Sequence, residues 1–397
     1  MTSIKWNVAI LSACQAVLLT VNLSVIALAG LVGHSLAENK ALATLPVSTF
    51  IIGVALSTIP ASYWMRLVGR RLGFMSGAAV GMLGAAVCCY AVYSVDFWLY
   101  CAGTLMLGTQ NAFGQQYRFA AAEISTPEFR AKAISWVLAA GIVGGVLGPE
   151  SSKYTKDLFA PYSFLGTYLV VMVLSGIAIL LLTQLRIPNL TVEERMDKGR
   201  PLSQIVRQPV FYVAALGAMV GYAVMNLVMT AGPLAMVACG ISYGNTIFVV
   251  EWHVIGMFAP SFFTGHLINR FGVLNIMTAG AACFFAAVVA AVIGITLPNF
   301  WAALFLLGVG WNFMFVGGTT LLTESYSPAE KAKTQGLNDF MVFGSVACAS
   351  LSSGGLMHLF GWNAVNVGAL PFLAIATAAI VWLLLRHRRP AEASQSA

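Results

Sequence analysis

Asn111, Gln115 and Arg118 fall at i, i+4 and i+7 of one apolar stretch, FWLYCAGTLMLGTQNAFGQQYRFAAAE. A helix there puts two amides and a guanidinium on a single face. Such a face can hydrogen-bond a polar solute or hold a charge at a depth where a lone guanidinium is costly. Arg118 is the first choice for substrate contact and is expected to point into a cavity. The alternative is a side chain that snorkels to the interface, since Glu123 follows five residues on. Other polar groups recur at helical spacing. Gln15 and Asn22 are seven apart, and Tyr222 and Asn226 are four apart. Asn312, Phe315 and Thr319 make a further stripe with Trp311 beside it. The candidate substrate-binding residues are therefore Gln15, Asn22, Asn111, Gln115, Arg118, Tyr222, Asn226, Trp311 and Asn312. For each asparagine, helix-to-helix hydrogen bonding is the alternative.

Glu251 and His253, in VVEWHVIG, sit well inside an apolar run. A buried carboxylate there can load and release a proton, which makes the pair the candidates for proton coupling. A carboxylate near the outer surface in contact with water is the other reading. Asp339 opens a later run and is expected to pair with Arg270 as a structural contact. No His, Cys and carboxylate set has ligand spacing, so no metal is expected. No G-x-x-x-x-G-K-[ST] stretch and no nucleophile with a base is present. The chain is thus not expected to be an enzyme or to carry a cofactor. Amides, tyrosine, tryptophan and one arginine suit a small, mostly neutral, partly aromatic solute.

The elements that position these groups follow from composition. Only 9% of the 397 residues are charged and 59% are hydrophobic, with a mean hydropathy of +0.84. A soluble domain has about 25% charged residues, so the bilayer is the solvent. Twelve apolar runs are long enough to cross it: 7–32, 43–66, 74–95, 97–122, 133–150, 163–185, 209–233, 246–268, 275–295, 299–322, 338–358 and 364–385. The first run is too long for a signal-peptide core of about 7–15 residues and is read as a membrane helix. The seven cysteines lie in or beside apolar runs and read as small buried hydrophobes. The expected fold is an all-α membrane protein. It has six-helix halves at 1–185 and 209–397 and a linker at 186–208, where Arg195, Lys198, Glu193 and Glu194 gather.

Basic residues set the orientation. Lys40, Lys153 and Lys156 lie on one side, Arg118 lies within a run, and the other 17 of 21 Lys and Arg lie opposite. The positive-inside rule places that side, with both termini, in the cytoplasm. The net charge of +7 is then a topology signal, and no nucleic-acid partner is expected. The expected setting is a bacterial inner membrane, multi-pass, as a monomer in lipid.

The halves repeat. Glu123-x3-Pro127-x2-Arg130-Ala131-Lys132 returns 201 residues later as Glu324-x3-Pro328-x2-Lys331-Ala332-Lys333. Asn111 and Asn312 are separated by the same 201, and Asn22 and Asn226 by 204. Two such halves in one orientation are a parallel repeat. On these residues the chain resembles the major facilitator superfamily of twelve-helix secondary transporters. That family's loop signature, G-x-x-x-D-R-x-G-R-R, has two relatives here. The first is Ser62 to Arg71, with Gly69, Arg70 and Arg71 kept and Arg66 in place of the acid. The second is Gly265 to Gly272, with Asn269 in place of the acid beside Arg270. The resemblance implies a conformational latch at Arg66, Gly69, Arg70, Arg71, Gly265, Asn269, Arg270, Gly272 and Asp339. Simple anchoring of the loop arginines at lipid headgroups is the alternative. Gly144-x3-Gly148-Pro149 is similar to a motif of exporters, although Glu150-Ser151-Ser152 replaces the glycines that follow it there. The resemblance implies alternating-access transport. It extends to a bacterial branch that includes riboflavin uptake proteins, so riboflavin is the named candidate substrate and proton-driven drug or metabolite efflux is the alternative.

Overall fold

The computed structural model describes residues 2–39, 42–188, 197 and 199–393, and among these it contains helices and no strand. Lys40, Glu193, Glu194, Arg195 and Lys198 lie outside the described residues. We number the helices α1 (Thr2–Leu36), α2 (Leu45–Val68), α3 (Arg70–Ser94), α4 (Phe97–Gly114, continued by Tyr117–Glu123), α5 (Pro127–Ala139, continued by Gly141–Thr155) and α6 (Leu165–Thr183). The series continues with α7 (Pro209–Ala238), α8 (Tyr243–Phe258, continued by Ser261–Phe271), α9 (Val273–Ile293), α10 (Leu297–Leu322), α11 (Lys331–Gly368) and α12 (Leu370–Ala393). A single turn, Leu202–Ile205, precedes α7.

Local chemistry starts these helices where they start. The Asp96 carboxylate accepts from the Leu99 amide at 2.9 Å and caps α4. Ser242 caps α8 in the same way. Proline occupies the first turn of α2, α7 and α10, where its missing N–H costs nothing. Ten helices among the described residues are long and apolar enough to cross a membrane. The last of these, Lys331–Arg386, has 56 residues, or about 84 Å of helix against a core of about 30 Å. It is divided at Gly361, where φ is 76°, and so provides two spans. With the divided α4, this makes the twelve expected.

The chain forms two compact units. The first holds Met1–Ile124, Ala140–Gly199 and Pro328–Phe340, and the second holds Ser125–Ala139, Arg200–Ser327 and Met341–Ala397. In the first unit, α2 and α3 pack on α4, α3 packs on α6, and α1 packs on α6 and the second part of α5. Buried polar pairs stitch these apolar faces together. Gln110 Nε2 donates to Ser175 Oγ at 3.2 Å, and the Tyr100 and Tyr168 hydroxyls bond to each other. In the second unit, α7, α8 and α9 pack on α10, and the first part of α5 packs on the second part of α8.

The exporter-like Gly144-x3-Gly148 pair is a packing device here. α1 lies so close that a side chain at Gly144 would meet Leu19 Cβ at 2.5 Å and the Thr20 amide nitrogen at 2.7 Å. Ser24 Oγ donates to the Gly148 carbonyl at 2.9 Å across the same contact. Close approach of this kind is what small residues allow in lipid. Gly144→Leu is therefore expected to force α1 from α5 and destabilise the protein by about 1–3 kcal/mol. A thermal melt of the purified variant reads this as a lowered midpoint.

Candidate functional site

The first unit carries a continuous polar network in an otherwise apolar interior. It begins where α4 is interrupted at Gln115–Gln116. There the Gln116 amide bonds back only three residues, to Phe113, and the turn tightens. The interruption brings Gln115, Gln116 and Arg118 together. Gln115 Nε2 donates to Asn111 Oδ1 at 2.9 Å. Arg118 Nη1 donates to the carbonyl oxygen and to Oε1 of Gln115, at 2.8 and 3.0 Å. The three residues that share a face in sequence are thus joined side chain to side chain.

Arg118 Nη2 then donates to Asp339 Oδ1 at 2.5 Å. Arg118 is 1% exposed and Asp339 is 0% exposed, which makes this the most deeply buried ion pair among the described residues. Gln116 Nε2 donates to Asp339 Oδ2 at 3.2 Å, and Asn338 Nδ2 donates to Oδ1 at 3.1 Å. The guanidinium also lies over the Phe119 ring, 4.6 Å from its centroid. Two expectations are corrected here. Asp339 takes Arg118 as its partner and not Arg270, whose guanidinium lies over the ring of its neighbour Phe271 at 5.2 Å. Arg118 neither snorkels nor faces an open cavity, because its charge is neutralised by a carboxylate 221 residues away in sequence.

A second cluster lies beside the first. Glu123 accepts from Arg70 Nε and Nη2 at 3.2 and 2.5 Å, from Lys331 Nζ at 3.1 Å and from Gln335 Nε2 at 3.2 Å. Arg70 also donates to Gln116 Oε1 at 3.1 Å and to Gln335 Oε1 at 2.6 Å, so it links the two clusters. Arg70 is buried and does not reach the headgroups, which corrects the anchoring reading for that residue. Arg66 instead donates to the Asp197 carbonyl at 2.7 Å, and Arg71 is exposed. The acid missing from the loop signature has a stand-in, Glu123, supplied by α4. Burial alone would raise the Glu123 pKa, but Arg70 and Lys331 overcome this and lower it to about 2. Sequence reasoning passed over Gln116, Gln335 and Asn338, and it missed the Arg70–Glu123–Lys331 contact. The available signal was the spacing of Lys331, Gln335 and Asp339, each four residues from the next and so on one helical face.

Gln15 and Asn22 of α1 are buried, and Asn22 Oδ1 has no hydrogen-bond partner. In the second unit, Tyr222 of α7 meets Trp311, Phe315 and Phe343 edge to face at 5.2–5.6 Å. Trp311 and Phe315 stack at 5.0 Å. Asn226 Oδ1 and Trp311 Nε1 are buried without hydrogen-bond partners. Asn312 is fully committed to its neighbours. Its Nδ2 donates to the Met257 carbonyl and Ser261 Oγ at 2.6 and 2.5 Å, and its Oδ1 accepts from Thr264 at 2.7 Å. These bonds hold α10 against the interruption of α8 at Ala259–Pro260. His253 is buried with Nδ1 at 2.7 Å from the Leu304 carbonyl. Glu251 is exposed, so the burial that the coupling argument required is absent at that residue. Gly265 lies against the backbone of Lys132, and Asn269 Nδ2 donates to the Glu128 carbonyl at 2.5 Å. No group of three His, Cys, Asp or Glu suited to a metal occurs among the described residues.

The family model described as Major Facilitator Superfamily matches this chain over residues 8–259 and 215–397. The chain belongs to the Major Facilitator Superfamily. It is 40% identical over 397 residues to the riboflavin transporter RfnT of Brucella anthropi, covering 100% of this chain and 99% of that one. It is 27% identical over 390 residues to the uncharacterized MFS-type transporter YddS of Bacillus subtilis, at 92% and 88% coverage. Solved superfamily folds agree. The transporter FucP in its outward conformation matches with a TM-score of 0.74 at 15% identity, over 94% of this chain and 98% of that one. The human organic anion transporter MFSD10 matches with 0.77 at 14%, over 95% and 99%. The protein is thus a multi-pass membrane transporter of this superfamily.

Two measurements test the network. Arg118→Met and Asp339→Leu are each expected to cost about 3–5 kcal/mol by stranding a buried charge. The double variant is expected to melt close to the wild type. Glu123 has a folded pKa below its ordinary 4.5. Its contribution is therefore complete above about pH 4.5 and lost as pH falls toward about 2. The melting midpoint of the wild type should fall more steeply across that window than that of Glu123→Gln.

Proposed function

We propose that this transporter takes up riboflavin, or a close flavin, by alternating access. The observation that carries the reading is the end-to-end 40% identity to a riboflavin transporter. The residue inventory supports it. Tyr222, Trp311 and Phe315 offer π-faces to a flat ring, and Asn22 and Asn226 keep buried amide oxygens available for a polar solute. Gln15, Asn111 and Gln115 add polar groups for a hydroxylated tail. The six-helix halves, 1–185 and 209–397 joined by 186–208, are the frame that moves. The Arg118–Asp339 pair is made and broken in the cycle, and Arg118 is exposed to the solute when the pair is open. The setting is the bacterial inner membrane, with both termini cytoplasmic and the chain a monomer. Neither a cofactor nor catalysis enters this reading.

Gradient coupling is assigned to a carboxylate in a span. Glu251 with His253 is one choice, and Asp339, the buried one, is the other. A bacterial riboflavin auxotroph expressing this chain should grow and accumulate labelled riboflavin, and Arg118→Ala should abolish both while still reaching the membrane. A well-expressed wild type that gives no rescue would overturn the riboflavin reading and move the test to drug export. In the same assay, Glu251→Gln and Asp339→Asn separate the two coupling choices. The coupling residue is the one whose loss removes dependence on the pH gradient.

A further inference from the structure

In the first unit the start of α11 lies beside the end of α2, and a small space of about 20 Å³ remains between them. About 10–15 Å³ is enough for one water molecule, so the space admits one particle of roughly that size. Ser62 lines it, is 2% exposed, and its hydroxyl has no hydrogen-bond partner. A buried hydroxyl left in this way is costly. Arg66, Arg70 and Lys331 also line the space, and no carboxylate among the described residues does. Arg70 and Lys331 both hold Glu123, so two cations share that one acid. Glu330, the residue before Lys331, lies against Gly199. Lys331 and Ala332, which complete the lining on this side, are the first residues of α11. The Thr334 amide donates to the Glu330 carbonyl at 3.1 Å. The Lys331 and Ala332 amides precede that bond and belong to the open, partly positive end of the helix, whose first turn carries no acid. Nearby acceptors are engaged: the Met65 and Gly69 carbonyls accept from the Gly69 and Gly73 amides at 2.9 and 3.0 Å.

We propose that this space binds a monatomic monovalent anion, chloride in the cell, which accepts from the Ser62 hydroxyl and the Lys331 ammonium at the start of α11. The ammonium has three N–H groups and spends one on Glu123, at 3.1 Å. The lining is rich in donors and poor in acceptors. A water would have to donate as well as accept, whereas an anion only accepts. The sign of the surroundings excludes a cation, because a helix N-terminus and basic side chains both favour negative charge. The volume excludes a tetrahedral phosphate or sulfate and with it a lipid headgroup. Arg66 stands where the loop signature has its acid, so the ion supplies a negative charge that the chain itself does not place there. Bound in this position it ties α2 to α11, whose Gly336 packs on Ser62 further along the same contact.

Chloride NMR and thermal melts of the purified full chain in detergent, with gluconate replaced by chloride at constant ionic strength, test the site. The wild type should broaden the chloride line in a way that bromide displaces. Its melting midpoint should rise by about 1–3 °C and level off as the site fills. Ser62→Ala keeps the shape and the surrounding charge but removes a donor, and it should lose most of both effects. Arg66→Asp gives the space a carboxylate of its own and should melt alike with and without chloride. Sulfate in place of chloride should leave the wild-type midpoint at its gluconate value. A wild type indifferent to chloride, or a sulfate effect as large as that of chloride, would overturn the proposal. Equal line broadening in the wild type and in folded Ser62→Ala would also overturn it and leave an adventitious ion only.

Discussion

A guanidinium and a carboxylate shut away from water inside a membrane protein are tolerable only while they hold each other. Arg118 and Asp339 are in that position, and much of the first unit is arranged to keep them there. The interruption of α4 at Gln115–Gln116 delivers the arginine together with two glutamines. One glutamine orients the guanidinium, and the other donates to the second carboxylate oxygen. Arg70 then connects this pair to a second carboxylate, Glu123, through Gln116 and Gln335. An ion pair of this kind is weak evidence for stability. In the proposed cycle each charge needs a replacement partner before the other can leave. A polar solute or a proton can supply that replacement, which is how a binding event acquires leverage over conformation.

The second unit solves its polar problem differently. Its counterpart of Arg118 is Thr319, and its most buried polar residue on α10 is the neutral Asn312. Asn312 spends its hydrogen bonds on the α8 interruption, so the bonds hold structure and bring no charge inward. Aromatic rings fill the neighbouring space, with Tyr222 at the centre of three edge-to-face contacts. Charge is concentrated in one unit and π-surface in the other.

The sequence is most readable where structure depends on local composition. The twelve apolar runs, the parallel repeat and the two loop glycines follow from hydropathy and spacing. The Asn111–Gln115–Arg118 face was legible because i+4 geometry is a property of one helix. The partner of Arg118 was not, because Asp339 lies 221 residues away and spacing carries no information about which helices abut. Arg270 was a reasonable choice by charge and membrane side alone. Glu251 shows the complementary limit. Its position inside an apolar run is plain, but which face of α8 it occupies is a matter of packing, and it is exposed. By sequence Arg70 reads as a headgroup anchor, but it is buried against Glu123. The loop signature has no acid of its own, and its Arg70 pairs with Glu123 of α4.

The most direct test of the account is hydrogen exchange of the reconstituted wild type, followed with and without saturating riboflavin over 111–123 and 331–343. If the Arg118–Asp339 pair is made and broken during transport, riboflavin should change the protection of both segments together. Asp339→Asn should show the opened level of exchange without riboflavin. Unaltered protection in both segments while riboflavin is bound and transported would contradict the account and leave the pair as fixed scaffolding.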